Sequence, residues 1–253
     1  MHRFQISSED VQGERLYIRG SEAHHLTRVL RLSVGDEIAA FDNSGIEYCA
    51  EVREITSGEV QCEIVSCKSN PTEAPLAVYL LQGLPKGDKM ETIIQKTTEL
   101  GVKSIYPVRT SRAIVQLEGK KAVDRVVRWQ KIAVEAAKQC GRSVVPLVGE
   151  IQNLKDAIRA LPQECVVLAA YEGEKTRGLA EELENLQGHA LALFIGPEGG
   201  FDPQEINFLE QNGVKSVSLG PRILRTETAG LAALTMALYQ CGDLGRIPAG
   251  GKA

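Results

Sequence analysis

Two stretches of the chain concentrate residue types that bind ligands. In Ile195-Gly196-Pro197-Glu198-Gly199-Gly200-Phe201, an apolar run ends in glycines, a proline and one acid, and Asp202-Pro203 then opens a helix. Glycines let backbone approach a ligand closely. Asp202 suits an N-cap and Pro203 a first helical position. The competing reading is a tight strand-to-helix turn with a capping glutamate. In Leu219-Gly220-Pro221-Arg222-Ile223-Leu224-Arg225-Thr226-Glu227-Thr228-Ala229, arginines stand in an otherwise apolar loop before a helix made almost wholly of Ala and Leu. A helix that apolar must be buried, in its own chain or against a second subunit. Arg225 and Glu227 at its start are therefore expected to be desolvated, and buried charges are paired or functional. A structural Arg–Glu pair is the alternative.

Other chemistries lack their signatures. No G-x-G-x-x-G follows a strand, and there is no G-x-x-x-x-G-K-[ST] or G-x-S-x-G, which disfavours ordinary dehydrogenases, P-loop ATPases and serine esterases. Cys49, Cys62, Cys67, Cys140, Cys165 and Cys241 form no C-x-x-C pair, and no His stands at zinc-ligand spacing. They are expected to be buried, reduced thiols, with no metal site.

The elements that must position these loops fall into two rhythms. Residues 1–68 read as short strands with one helix. Ser21 is its expected cap, and Ala23, Leu26, Val29 and Leu30 its buried side. Glu37–Phe41 and Glu47–Ile55 flank an Asp42-Asn43-Ser44-Gly45 turn, and Glu59–Val65 follows as a further strand, which together suggest a small β-barrel. The polar, proline-containing stretch 71–75 is the expected linker. Beyond it, strands at Leu76–Leu81, Ser104–Val108, Val144–Val148, Cys165–Ala170, Ala190–Ile195 and Val214–Leu219 alternate with helices. The helices are expected at Asp88–Leu100, Lys121–Cys140, Leu154–Ala160, Leu179–Leu186, Pro203–Gln211 and Glu227–Cys241. Such alternation implies a parallel sheet with helices on both faces. In that architecture ligands bind beyond the carboxyl ends of strands, where both glycine-bearing loops fall. The expected domains are therefore 1–70 and 76–253.

At 43% apolar and 25% charged residues, the composition is that of a soluble globular protein. There is no membrane-length apolar run and no secretory leader, which points to a cytoplasmic protein. The net charge of −4 hides an asymmetry. Residues 1–70 carry 7 Lys+Arg against 12 Asp+Glu, whereas 86–142 carry 13 against 6. A basic segment in an acidic chain is a solvated face or a nucleic-acid track. Arg28 and Arg31, three apart, are expected on one side of the short helix, with Arg3 joining them.

The two loops resemble, almost residue for residue, those of the ribosomal RNA small subunit methyltransferase E family, within the SPOUT superfamily of knotted methyltransferases. Lys96–Val102, Trp129–Ala133, Gln139–Arg142 with Pro146, His2-Arg3-Phe4 and His24–Arg31 extend the resemblance over nearly the whole chain. It implies a PUA-like RNA-binding barrel followed by a SPOUT α/β domain with a C-terminal trefoil knot, a homodimer, and methylation of N3 of a uridine in 16S rRNA of the small ribosomal subunit. S-adenosyl-L-methionine would be held by Leu168, Ala169, Gly196, Pro197, Glu198, Gly199, Gly200, Leu219, Gly220, Ile223, Leu224 and Thr226. Arg225 would stabilise the anionic uracil or a flanking phosphate. Glu198, Glu227 and Glu172 are the candidate bases, and Arg3, Arg28, Arg31 and Arg112 the candidate RNA contacts. The alternatives are a SPOUT methyltransferase acting at another RNA atom and a non-catalytic rRNA-binding assembly factor. A small-molecule methyltransferase would leave the N-terminal domain unexplained.

Overall fold

The computed structural model describes residues 1–70, 72–115 and 117–246. Pro71 of the expected linker and 247–253 of the expected second domain lie outside them. The chain forms two compact units, Met1–Glu73 with Ala137–Val145, and Ala74–Ala136 with Pro146–Ala253. The return of Ala137–Val145 to the first unit is a feature the linear domain boundaries do not contain.

In the first unit, β1 (His2–Gln5), β2 (Val11–Gln12), β3 (Arg15–Arg19), β4 (Glu37–Phe41), β5 (Ile46–Ile55) and β6 (Glu59–Ser69) form one sheet in the order β1-β4-β5-β6-β3-β2. Only the β1–β4 pairing is parallel. The β4–β5 turn uses Asn43 and Gly45 at φ of 65° and 85°, and the Asp42 carboxylate accepts from the Ser44 N–H at 3.1 Å. Alternation buries Leu16 and Ile18 of β3 against Phe4, Leu26, Ile38, Val52 and Val60.

The short helix departs from expectation. It runs as α1 (Gly20–His24) and then as a π turn over His25–Val29, closed by Leu30 N–H donating to the His25 carbonyl at 3.0 Å. Its N-cap residue is Arg19, not Ser21, and no side chain caps it. The wider π winding carries Val29 off the side shared by Ala23 and Leu26 and leaves it exposed. Arg31 lies past the helix at φ 56°, so Arg28 and Arg31 do not share a helical face. Arg3 pairs with Glu47, donates to the carbonyls of Gly141 and Arg142 at 3.1 and 3.0 Å, and lies over the Phe41 ring. Its guanidinium is thus held by groups of the first unit. Lys138–Glu22 and Arg142–Glu73, both at 2.6 Å, hold the 137–145 segment in the same unit.

The second unit contains β7 (Ala77–Gly83), α2 (Lys89–Leu100), β8 (Ser104–Arg109), α3 (Gly119–Cys140, whose last turn belongs to the first unit), β9 (Leu147–Val148) and β10 (Gln152–Asn153). It continues with α4 (Leu154–Arg159), β11 (Val166–Ala170), α5 (Leu179–Glu184), β12 (Ala190–Ile195), α6 (Pro203–Gln211), β13 (Lys215–Val217) and α7 (Thr226–Gln240). The sheet is parallel throughout, in the order β10-β8-β7-β12-β11-β13, with β9 also on β8. Leu81 and Phe194 face α4 and α6 through Ala157, Ile206 and Leu209. Leu80 and Ile195 point the other way, where Gly230 of α7 lies against them. The expected strand Val144–Val148 shrinks to two residues, since Pro146 has no N–H for a ladder.

The buried side of α7 is Thr226, Ala229, Gly230, Ala233, Leu234, Ala237 and Leu238, at helical spacing. Its other side carries half-buried Leu231, Ala232 and Met236 and exposed Tyr239. One chain therefore buries one side of this helix, not all of it. All six cysteines are free. Burial pushes the thiols of Cys62 and Cys165 up to about 12 and about 11. Cys67 is exposed, contrary to the expectation of buried thiols. Among the described residues no helix is long and apolar enough to cross a membrane, and no side-chain group could hold a metal ion.

Candidate active site

The parallel pairing of β11 with both β12 and β13 sets three strand ends side by side, at Ala170, Ile195 and Val217. Each ends in a loop. After β12, Gly200 N–H donates to the Pro197 carbonyl at 3.0 Å, with Gly200 at φ 66°. Asp202 then caps α6 through a capping box with Glu205, and Pro203 is the first helical residue, as the sequence predicts. The glycines of this loop serve different needs. A Cβ on Gly200 would stand 2.5 Å from Glu172 Oε1, and one on Gly199 would meet Arg112 Cβ at 3.0 Å. A Cβ on Gly83, at the end of β7, would meet Pro197 N at 2.7 Å. The loop is thus packed against its neighbours at backbone distance.

The loops enclose two adjoining cavities, of about 410 and 460 Å³, which share Ala170, Glu172, Ile223, Leu224 and Ala229. Gly196 to Phe201, Arg225 and Thr226 line the first, and Leu219, Gly220 and Arg222 the second. Volumes of this size suit a small ligand. Leu168 and Ala169 line neither cavity. Both are buried within β11, and Ala170 takes the place expected for them. Thr226 is a strut: its hydroxyl donates to the Gly196 carbonyl at 2.6 Å and accepts from Gln82 Nε2 at 2.9 Å.

The charged groups separate by partner. Lys89 Nζ lies 2.9 Å from Glu198 Oε1 and 3.3 Å from Glu227 Oε2. The Lys86 N–H also donates to Glu198, at 3.1 Å. Burial alone would raise the Glu198 carboxyl, but the bonds from Lys89, its own backbone and Lys86 outweigh it and leave it below the ordinary value. Glu227 is lowered as well, first by its own backbone N–H and then, against burial, by Lys89. Glu172 is exposed, lines both cavities and has no hydrogen-bond or ion-pair partner among the described residues. Arg225 is exposed at the cavity, contrary to the expected desolvation, and Glu227 pairs with Lys89 instead. Arg112 donates to the Gly199 carbonyl at 3.1 Å. Sequence reasoning missed Lys89. Its only local signal was the position of Lys86-Gly87-Asp88-Lys89 just past the β7 strand end.

Comparison with known proteins agrees with this geometry. Residues 72–238 match the family model of the RNA methyltransferase domain, and residues 18–65 that of the RNA methyltransferase PUA domain. Ribosomal RNA small subunit methyltransferase E of Bacillus subtilis (strain 168) is 39% identical over 231 residues, which covers 88% of this chain and 89% of the relative. The structure of the Neisseria gonorrhoeae ribosomal RNA small subunit methyltransferase E bound to S-adenosyl methionine superposes with a TM-score of 0.82 at 33% identity, over 92% of this chain and 95% of that one. A Legionella pneumophila methyltransferase in complex with SAM gives 0.83 at 31% identity, over 93% and 96%. With its glycine loops at three adjacent strand ends and a family match along most of its length, the chain belongs to the ribosomal RNA small subunit methyltransferase E family.

Proposed function

We propose that the chain transfers a methyl group from S-adenosyl-L-methionine to N3 of a uridine in 16S rRNA of the small ribosomal subunit. The observation that carries this reading is an unpaired carboxylate, Glu172, beside a glycine-walled cavity whose other acid, Glu198, is neutralised by Lys89. The site residues fit the cofactor. Ile223 and Leu224 offer apolar contact for a purine, the backbone of Gly196–Gly200 and Leu219–Gly220 offers polar groups, and the carboxylates suit a cationic sulfonium.

The cofactor supplies a methyl group already activated on sulfur. The chain positions the acceptor and removes a proton. Correct placement is worth roughly 7–11 kcal/mol of barrier. Glu172 would take the proton from uracil N3, leaving N3 anionic toward the methyl group that the cofactor would supply, with the sulfur departing as a neutral thioether. Arg225, exposed at the cavity, stabilises the uracil anion or its flanking phosphate. Arg28, Arg31 and Arg112 contact RNA, which delivers an unstacked base.

The same reading includes a PUA-like barrel closed from the first unit's sheet, a trefoil knot, a homodimer and a cytoplasmic location. The knot reading draws on the parallel bridge of Gly178 to Ser218, which lays 177–179 alongside the start of the second loop. Nucleoside mass spectrometry of 16S rRNA from a deletion strain, before and after complementation, tests the activity. Loss and return of N3-methyluridine is expected. A 2′-O-methyl nucleoside changing instead would move the acceptor atom.

A further inference from the structure

We infer that Gln82, a buried amide at the end of β7 that lines neither cavity, is a positioning residue of the cofactor site. It acts through the Thr226 hydroxyl on the peptide between Gly196 and Pro197. The inference rests on the reading of the glycine loop as a wall of that site.

Gln82 stands out from its surroundings. It is fully buried, and around Gly230 of α7 it lies beside Leu80 and Ile195. A leucine would fit such a place without any polar cost. The amide instead ties three segments together. Its Nε2 donates to the Gly83 carbonyl at 3.0 Å and to Thr226 Oγ1 at 2.9 Å, and the Thr226 hydroxyl donates in turn to the Gly196 carbonyl at 2.6 Å. Its Oε1 lies 3.4 Å from where a Cβ on Gly230 would stand and accepts nothing among the described residues. A buried acceptor without a donor costs stability. The amide is therefore poorly explained as a packing group, and its donor end is what the fold uses.

Chemistry fixes the direction of this relay. The carbonyls of Gly83 and Gly196 can only accept. Thr226 has one hydroxyl hydrogen, and Gly196 takes it, so Gln82 must be the donor to Thr226. Turning the amide over would set its oxygen against the Gly83 carbonyl. The receiving end is special for a different reason. Pro197 has no N–H, so the Gly196 carbonyl is the one hydrogen-bonding group of the peptide that joins them. That peptide begins the glycine loop, which closes when the Gly200 N–H donates to the Pro197 carbonyl at 3.0 Å. Gln82 thus orients the plane from which the loop departs, and it does so without touching the cavity.

Calorimetric titration of S-adenosylmethionine, with amide hydrogen exchange on the cofactor-free chain, tests the relay. Gln82→Met and Thr226→Val each remove one link. Each is expected to weaken cofactor binding about tenfold, the worth of one such hydrogen bond. In both, the Gly200 N–H should exchange about tenfold faster than in the parent. The double variant should lose no more affinity than the weaker single one, because the links lie in series. Thr226→Ser keeps the hydroxyl and should recover most of what Thr226→Val loses. Gln82→Leu, of a different shape, should repeat the result of Gln82→Met, so the outcome does not hang on how one side chain packs. The KM for rRNA should stay within about twofold of the parent. Additive losses in the double variant would overturn the inference, since Gln82 would then not act through Thr226. So would parent-like cofactor affinity in Gln82→Met and Gln82→Leu while Gly199→Val loses binding. Parent-like affinity in all three would take the glycine loop out of the cofactor site, and this inference with it.

Discussion

Lys89 Nζ sits 2.9 Å from Glu198 Oε1, and the same ammonium reaches Glu227 at 3.3 Å. One cation at the start of α2 thus ties together the loop after β12 and the start of α7. It also divides the three candidate bases into two held as anions and one, Glu172, left without a partner.

The first prediction removes this cation. Glu198 is depressed below its ordinary 4.5, so its charge is in place at and above that value and is lost as pH falls through the lowered one. Burial is the largest single influence on Glu198 and acts upward. Lys89→Met therefore raises its pKa and moves the acid limb of cofactor binding to higher pH. Calorimetric titration of S-adenosylmethionine from about pH 8 to pH 5 should show a flat parent, a variant that weakens toward acid, and rescue by Lys89→Arg. Parallel profiles for parent and variant would mean that Lys89 has no electrostatic part in the site.

A second prediction separates the acids. Glu172→Gln removes the group proposed to take the N3 proton and should lower kcat by about 10²–10⁴-fold with cofactor affinity nearly unchanged. Glu198→Gln, which breaks the contacts with Lys86 and Lys89, should instead weaken cofactor binding. Single-turnover kinetics with saturating cofactor distinguishes the two. Wild-type rates in Glu172→Gln would remove it as the base.

Much of the site is legible in the sequence, because its local signals are short-range. Asp202-Pro203 after a glycine run marks a strand-to-helix turn whose caps lie within three residues of each other. What escapes depends on contacts made across the chain. Lys89 and Glu198 are 109 positions apart, and Arg3 reaches a carbonyl 138 positions away. No periodicity encodes such a pair, so Arg3 reads as a free basic residue and Arg225 as the partner of Glu227. The misplacement of Val29 and Arg31 has a different origin: a π turn changes the helical repeat without changing composition.

The glycine loop gives a third prediction. At φ 66°, Gly200 is in the left-handed region, where an L side chain costs roughly 1–2 kcal/mol. Gly200→Ala also drives a methyl toward Glu172. Loss of stability by about that amount is expected, together with a lower kcat. Gly199 has no such backbone demand; its side faces Arg112 Cβ at 3.0 Å. Gly199→Val should therefore displace Arg112 and the loop and abolish S-adenosylmethionine binding without unfolding the chain. Thermal melts alongside calorimetry check both, and unchanged affinity in Gly199→Val would take this loop out of the cofactor site.

The last prediction concerns α7. Its inner side is filled by the sheet, α2 and α5, while Leu231, Ala232, Met236 and Tyr239, with the hydroxyls of Thr228 and Thr235 between them, line the outer side of a helix that carries no charge beyond Glu227. A largely apolar, uncharged helical side of this kind is a liability in a monomer only if nothing covers it, and a two-fold axis would cover it with its own copy. A homodimer through this side is therefore expected at micromolar concentration. Met236→Glu would bring a carboxylate into that contact twice over, at several kcal/mol per desolvated charge, which is enough to shift the dissociation constant by about a hundredfold or more. Sedimentation velocity should show a dimeric parent and a monomeric variant with an unchanged circular dichroism spectrum. A monomeric parent would sink the homodimer, and a Met236→Glu chain that remains dimeric would place the interface on another surface.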